Sequence, residues 1–217
     1  MNNRKKLFDL RKEYTQGGLS LSQVLPNPLS QFSLWFNQAV FSGLAEPNAM
    51  TLSTATPNGR VSARTVLLKE IDDRGLVFYT NYNSRKAKDI EKNPFGAILF
   101  LWLELERQVR VEGIIEKVSE QESDEYFASR PRESQLGAWA SDQSQEVSSR
   151  EQLFARYAEL EKIYKGKDIP RPAHWGGYRL IPEEVEFWQG RPGRMHDRIL
   201  FTLGTNSNGW QKKRLAP

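Results

Sequence analysis

Residues 50–80 read MTLSTATPNGRVSARTVLLKEIDDRGLVFYT. Three segments, 50–56, 61–69 and 76–80, are rich in Val, Thr, Leu and Tyr, side chains that suit a pleated backbone. Pro57-Asn58-Gly59 separates the first pair and Asp72-Asp73-Arg74-Gly75 the second, both made of residues that favour tight turns. Consecutive strands joined in this way predict an antiparallel sheet or barrel rather than a parallel array with helical crossovers. No Gly-x-Gly-x-x-Gly follows a strand and there is no P-loop, so neither of those nucleotide folds is indicated.

Working outward, 5–14 reads as a short charged helix ended by Gly17-Gly18. Asn27 caps a second helix that Pro28 opens, and Leu29, Phe32, Trp35, Phe36 and Val40 give it an apolar face. Ser84 caps a helix over 85–93, which Pro94 follows, and 95–102 with 108–118 form a further strand pair. Helices are expected over 120–129, part of 133–141, and 149–165, the last with a buried stripe of Leu153, Tyr157, Leu160 and Tyr164. Strands at 175–181, 185–188, 199–203 and 210–214 complete the sheet. The expected fold is mainly β with flanking helices (α+β), antiparallel, in a single domain over 1–217. Within it, 1–26 forms an N-terminal arm and 27–217 the barrel with its helices.

The 217 residues are 38% hydrophobic and 27% charged, the balance of a globular chain that can bury a core of its own. No apolar run approaches the ~20 residues of a membrane span. The polar, basic start lacks the apolar segment of a secretory signal, so a cytoplasmic location without membrane attachment is expected. With no cysteine, disulfides, thiolate metal sites and a cysteine nucleophile are excluded. His174 and His196 are the only histidines, so no metal site is expected. The net charge of +4 suits a phosphorylated ligand or nucleic acid. Because the basic residues are interleaved with Val, Leu and Phe, discrete anion pockets are favoured over a nucleic-acid track.

Several clusters could carry chemistry. Arg194-Met195-His196-Asp197-Arg198 combines two planar cations with a group that exchanges protons near neutrality, which fits a small, flat, phosphorylated molecule; its alternative is a solvated basic turn. Arg64 and Lys69 flank an apolar strand at odd spacing, so an undistorted strand points them to opposite faces; they could equally be two exposed charges. Tyr79-Thr80 followed by Ser84-Arg85-Lys86 places a strand end beside a helix N-terminus with two cations, a plausible phosphate site or simply a capped helix. Gln108 enters a strand and can both donate to and accept from a heterocycle edge. Tyr126, Arg130 and Ser134 recur every four residues, with Pro131 breaking the helix between them, and still form a candidate phosphate clamp or a polar loop. Gln143 and Ser144 follow downstream.

These segments, taken in order, resemble the pyridoxine/pyridoxamine 5′-phosphate oxidase family. The resemblance is carried by RKEY at 11–14, EPNAM at 46–50, RTVLLK at 64–69, VFYTNYNSRKA at 77–87, LERQVRVEG at 105–113 and SRPRESQLGAWASDQS at 129–144. It continues through HWGGYRL at 174–180, EFWQG at 186–190, RMHDR at 194–198 and RLAP at 214–217, nearly the whole chain. The resemblance implies a split β-barrel homodimer with FMN at the subunit interface. By the same resemblance, Arg64, Arg85 and Lys86, with Gln143 and Ser144 nearby, meet the FMN phosphate and ribityl chain. Thr65, Val66, Leu67, Leu68 and Lys69 run beside the flavin, with Tyr79, Thr80, Gln108, Trp188 and Arg198 in its site. Lys69, Tyr126, Arg130 and Ser134 meet the vitamin phosphate, and Arg194 and His196, the expected catalytic pair, face the pyridine ring. Arg11 to Tyr14 resembles the segment that closes over substrate.

The implied reaction is oxidation of pyridoxine 5′-phosphate and pyridoxamine 5′-phosphate to pyridoxal 5′-phosphate. A hydride leaves C4′ for the flavin N5, and O2 reoxidises the flavin to give hydrogen peroxide. His196 is a candidate for proton management at the 4′ oxygen or nitrogen, or for positioning alone. The rivals are another split-barrel flavoprotein, such as a flavin reductase, a non-catalytic carrier of pyridoxal phosphate, and a basic nucleic-acid binder. RPRES at 130–134 and RMH at 194–196 resemble vitamin-site motifs and argue against the first.

Overall fold

A computed structural model of the chain describes residues 13–204 and 209–217. Its residues fall into two compact units, Met1–Pro47 with Leu99–Val111 and Glu183–Pro217, and Asn48–Ile98 with Glu112–Pro182. Strands β5 (Phe95–Trp102), β6 (Arg107–Lys117) and β7 (Trp175–Gln189) supply residues to both.

In the larger unit, β1 (Ala49–Ala55) and β2 (Val61–Leu67) form the hairpin that residues 50–80 predict, in antiparallel register from Ala49↔Leu67 to Ala55↔Val61. Gly59 closes its turn with φ 80°, which only glycine adopts freely. Strand β3 (Glu70–Ile71) pairs with β4 (Leu76–Asn81), and β4 pairs antiparallel with residues 175–180 of β7. The order across the sheet is β2-β1-β5-β6-β7-β4-β3. Inward residues alternate along β1, so Met50, Leu52 and Thr54 are buried. Helix α2 (Arg85–Lys92) is capped by Ser84, and α3 (Glu120–Ser129) opens with a capping box in which Ser119 and Glu122 satisfy each other's backbone N–H groups. Helices α4 (Arg132–Ala140) and α5 (Arg150–Ile163) follow.

In the smaller unit, the ends of β5, β6 and β7 continue to β8 (Asp197–Leu203) and β9 (Trp210–Leu215), all antiparallel where β7, β8 and β9 pair. Helix α1 (Pro28–Phe41) begins at Asn27, whose side-chain oxygen accepts from Leu29 N at 2.8 Å and Ser30 N at 3.2 Å. Its buried face meets the strands: Phe32 lies 4.9 Å from Phe100, and Trp35 packs edge-on to Phe187 at 5.2 Å. No helix among the described residues is long and apolar enough to cross a membrane.

Several expectations need correction. The helix expected over 5–14 lies outside the described residues except for 13 and 14, which are not helical. Val40 is 48% exposed, and Ala39 takes the buried position because it stands one turn beyond Trp35 on the same face. Leu153, Tyr157, Leu160 and Tyr164 are half-buried rather than buried, since α5 packs by one edge onto the Phe127–Leu136–Trp175 cluster. The separate strands expected at 175–181 and 185–188 are one strand, β7. Pro182, which has no N–H to donate, falls between the stretch pairing with β4 and the stretch pairing with β8.

One buried charge ties the larger unit together. Arg179 on β7 is 1% exposed and reaches Asp72 at 2.8 Å and Glu122 at 2.7 Å. Its hydrogen bond holds the Glu122 carboxyl down at about 2, from an ordinary 4.5. Because the folded-state value is depressed, this stabilisation is complete above pH 4.5 and is lost as pH falls toward 2. Melting temperature should therefore drop across that window. Glu122→Gln should flatten the drop while costing about 1–3 kcal/mol at neutral pH, because Arg179 loses a charged acceptor but keeps Asp72.

Candidate active site

The site in the larger unit begins where β2 ends. Leu68 N still donates to Asn48 O at 2.8 Å, beside β1, but Lys69 N donates to Val77 O at 2.9 Å, on β4. The chain changes pairing partner between these two residues, and the alternation of an undistorted strand ends there. Arg64 and Lys69, expected on opposite faces, consequently line the same cavity together with Thr65, Val66 and Leu67. Leu68 is buried and does not line it.

This cavity is about 620 Å³. Its lining holds four cationic side chains, Arg64, Lys69, Lys86 and Arg130, and no carboxylate. Lys86 Nζ donates to Gln143 Oε1 at 2.7 Å, Thr80 Oγ1 at 3.0 Å and Ser84 Oγ at 3.3 Å, all neutral acceptors. Burial, then the nearby Arg64 charge, lower the Lys86 ammonium to about 8. Arg64 donates to Leu52 O at 3.1 Å, Thr54 Oγ1 at 2.9 Å and Ser62 Oγ at 2.5 Å. These use three of its five N–H groups. Asp89, which accepts from the same Thr54 and Ser62 hydroxyls, offsets part of the Arg64 charge, while Lys86 rests on neutral acceptors alone; the two cations sit close together at a place that suits a bound phosphate. Arg85 at the start of α2 and Ser144, in left-handed backbone with φ 70°, are exposed and do not line the cavity.

A second cationic group comes from the α3–α4 junction. Pro131 ends the helical run, and Arg130 takes extended backbone (φ −72°, ψ 149°) between the two helices. Tyr126, Arg130 and Ser134 nevertheless all line the cavity, as the spacing predicts. Tyr126 stacks on Tyr79 at 3.9 Å, and Trp175 continues the stack 5.5 Å from Tyr79. Burial drives the Tyr79 hydroxyl up to about 12, so it is a neutral phenol at working pH. The Arg130 guanidinium lies over the Trp175 ring at 4.5 Å, and its Nη1 is buried with no hydrogen-bond partner. An orphaned cationic donor beside two hydroxyl side chains fits an incoming phosphate.

The remaining predicted residues lie in the smaller unit. Trp188 packs against His196 at 4.6 Å, and Tyr14 meets both edge-on, at 5.6 Å and 5.3 Å. His196 Nδ1 accepts the Arg191 backbone N–H at 3.1 Å. A backbone N–H only donates, so the neutral ring carries its proton on Nε2. Burial, then the Arg194 charge, lower the His196 imidazole below its ordinary 6.5. Arg194 is exposed in a turn with φ 64°. Arg198 pairs twice with the buried Glu186, at 2.6 Å and 3.1 Å, and Glu186 also receives Arg110 at 2.9 Å. Gln108 is half-buried on β6. Arg11 lies outside the described residues.

Sequence reasoning did not single out Trp175, Glu186 or Glu106. Glu106, 3% exposed and with φ 55°, accepts the backbone N–H groups of Thr15 and Gln16 at 2.8 Å and 3.1 Å beside Tyr14. A carboxylate within a strand-forming run was the available signal for Glu186; the partners of Glu106 are 90 and 91 residues away and left none.

Residues 36–164 match the family described as pyridoxamine 5′-phosphate oxidase, and 175–217 match the pyridoxine 5′-phosphate oxidase C-terminal dimerisation region. The pyridoxine/pyridoxamine 5′-phosphate oxidases of Rubrobacter xylanophilus and Nostoc sp. PCC 7120 are 58% and 57% identical, over 99% and 97% of this chain and 98% of each of theirs. The solved structure of PhzG from Burkholderia lata 383, in complex with tetrahydrophenazine-1-carboxylic acid, has a TM-score of 0.88 at 32% identity, covering 95% of this chain and 100% of that one. A pyridoxamine 5′-phosphate oxidase-related, FMN binding protein from Nostoc punctiforme PCC 73102 shares the fold, with a TM-score of 0.69 at 17% identity over 86% of this chain and 97% of its own. With its antiparallel sheet, flanking helices and matches over nearly its whole length, the chain belongs to the pyridoxamine 5′-phosphate oxidase family and has its split-barrel fold.

Proposed function

We propose that this chain is an FMN-dependent oxidase that converts pyridoxine 5′-phosphate and pyridoxamine 5′-phosphate to pyridoxal 5′-phosphate, working as a homodimer in the cytoplasm with O2 as second substrate. The observation that carries this reading is the cavity with four cationic side chains and no carboxylate. Relatives of that name at 58% and 57% identity support the substrate class, and the dimerisation region at 175–217 supports the homodimer.

Arg64 and Lys86, with Arg85, Gln143 and Ser144, take the FMN phosphate and ribityl chain. The strand from Thr65 to Lys69, with Tyr79 and Thr80, runs along the flavin, for which Gln108, Trp188 and Arg198 are the further contacts. When bound, FMN supplies a hydride acceptor for C4′ of the substrate and a route for the electrons to O2. Lys69, Tyr126, Arg130 and Ser134 hold the vitamin phosphate and thereby fix where C4′ lies. Arg194 and His196 face the pyridine ring, with Tyr14 beside His196. Since Nδ1 of His196 is committed to Arg191 N–H, the neutral ring offers Nε2–H as a donor to the 4′ oxygen or nitrogen. Protonation would set an Nδ1–H against the Arg191 N–H and add charge beside Arg194, disrupting that placement.

The direct test is anaerobic titration of the FMN-loaded protein with pyridoxine 5′-phosphate, following the visible flavin band. Bleaching that reverses in air is expected. A loaded protein that never bleaches belongs to another split-barrel activity, and failure to bind FMN would favour a carrier of pyridoxal phosphate.

Three further outcomes are expected. Lys86 titrates near 8, so the FMN dissociation constant should rise above that pH by up to about tenfold per unit, and Lys86→Met should remove the slope. Arg130→Ala removes charged hydrogen bonds worth about 1.5–3 kcal/mol. It should raise KM for pyridoxine 5′-phosphate by about 10–100-fold, with kcat little changed. The lowered His196 value places the acid limb of kcat/KM below pH 6.5, and His196→Asn should abolish that limb in a steady-state pH profile.

A further inference from the structure

Trp175 opens β7, is 6% exposed and lines the cavity. One flank of its ring is the stack of Tyr79 at 5.5 Å and Tyr126 at 6.1 Å, nearly parallel at 12° and 7°. Phe127 abuts it edge-on at 5.2 Å. The stack has no room to retreat. A Cβ placed on Gly177, the register partner of Tyr79, would stand 2.8 Å from the Tyr79 ring. The Trp175 backbone is tied as well, its carbonyl accepting from Arg171 Nη1 at 2.8 Å and its N–H donating to Pro172 O at 3.0 Å.

Onto this fixed ring comes the Arg130 guanidinium, 4.5 Å from the centroid, with the Phe127 ring 5.6 Å away. A carboxylate in the place of Trp175 would hold Arg130 equally well, but it would neutralise the cation and occupy its N–H groups. An aromatic face attracts the cation through its quadrupole and need not take an edge N–H. The buried, partnerless Nη1 is a donor kept in that unused condition.

We propose that Trp175 is a positioning residue that selects phosphorylated over unphosphorylated vitamers, by holding Arg130 through its ring face while leaving the guanidinium edge to the phosphate. The inference rests on reading Arg130 as the substrate-phosphate ligand. Trp175→Phe keeps a weaker ring and Trp175→Leu keeps none, so the effect is graded.

The test uses FMN-loaded wild type, Trp175→Phe and Trp175→Leu, with Arg130→Ala alone and combined with Trp175→Phe. KM for pyridoxine 5′-phosphate should rise about threefold in Trp175→Phe and about tenfold or more in Trp175→Leu, with kcat within twofold. The dissociation constant of unphosphorylated pyridoxine should not move. Calorimetric titration with inorganic phosphate should show the same graded weakening without turnover. In the Arg130→Ala background the Trp175→Phe penalty should vanish, since the pair acts as a unit. Equal weakening of phosphorylated and unphosphorylated ligands, a penalty that persists without Arg130, or phosphate affinity unchanged in Trp175→Phe would each overturn the proposal. Should Trp175→Leu not fold, Trp175→Phe and the Arg130 cycle still decide it. Graded phosphate binding across wild type and variants, with a wild type that never oxidises pyridoxine 5′-phosphate, would sink the proposed function and leave the Trp175 assignment standing.

Discussion

Four cations share one cavity whose lining holds no carboxylate, and the larger unit holds three of them chiefly through uncharged side chains and carbonyls. Desolvating like charges is costly, and the direct partners of Lys86, Arg64 and Arg130 carry no formal charge, although Asp89, behind Thr54 and Ser62, offsets part of the Arg64 charge. Lys86 rests on an amide oxygen and two hydroxyls, Arg64 on a carbonyl and two hydroxyls, and Arg130 on aromatic faces. Neutral partners fix position without cancelling charge. The orphaned Arg130 donor follows from that choice, and the lowered Lys86 value from burial and then the nearby Arg64 charge.

Carboxylates are used elsewhere, in places where charge has to be cancelled. Glu122 and Asp72 neutralise the buried Arg179, which links β7 to the α3 cap and the β3–β4 turn. Glu186 neutralises Arg198 and Arg110 inside the smaller unit. Glu106 spends its carboxylate on two backbone N–H groups of the arm and so sets where Tyr14 meets Trp188 and His196. Arg179 and Arg198 thus pair directly with carboxylates, whereas the direct partners of Lys86, Arg64 and Arg130 in the cavity are neutral groups.

The antiparallel plan was legible from short-range signals. Strand runs punctuated by Pro-Asn-Gly and Asp-Asp-Arg-Gly place β1, β2 and β4 close to their observed bounds, and the caps at Asn27 and Ser84 start helices within a residue of expectation. Periodicity was less reliable where an element has two neighbours. Residues 175–189 look like two strands because Pro182 interrupts the pattern, but a change of pairing partner at that point accommodates it. The α5 stripe is real yet only half-buried, because one-sided packing leaves its flanks open.

By itself the sequence determined most of the element order, the antiparallel class, the absence of any thiol chemistry, and which basic and hydroxyl residues could serve a phosphorylated flat ligand. Those properties depend on residue type and on neighbours a few positions away. Only the tertiary structure decided that Arg64 and Lys69 open onto one cavity, because the deciding event is a switch of hydrogen-bond partner from Asn48 to Val77. It also decided that His196 keeps its proton on Nε2 and that Arg130 lies on Trp175, contacts made across 5 and 45 residues of chain by groups that no local pattern ties together. Local propensity acts through the backbone a residue shares with its neighbours, whereas charge placement depends on which distant groups the folded chain brings within about 4 Å.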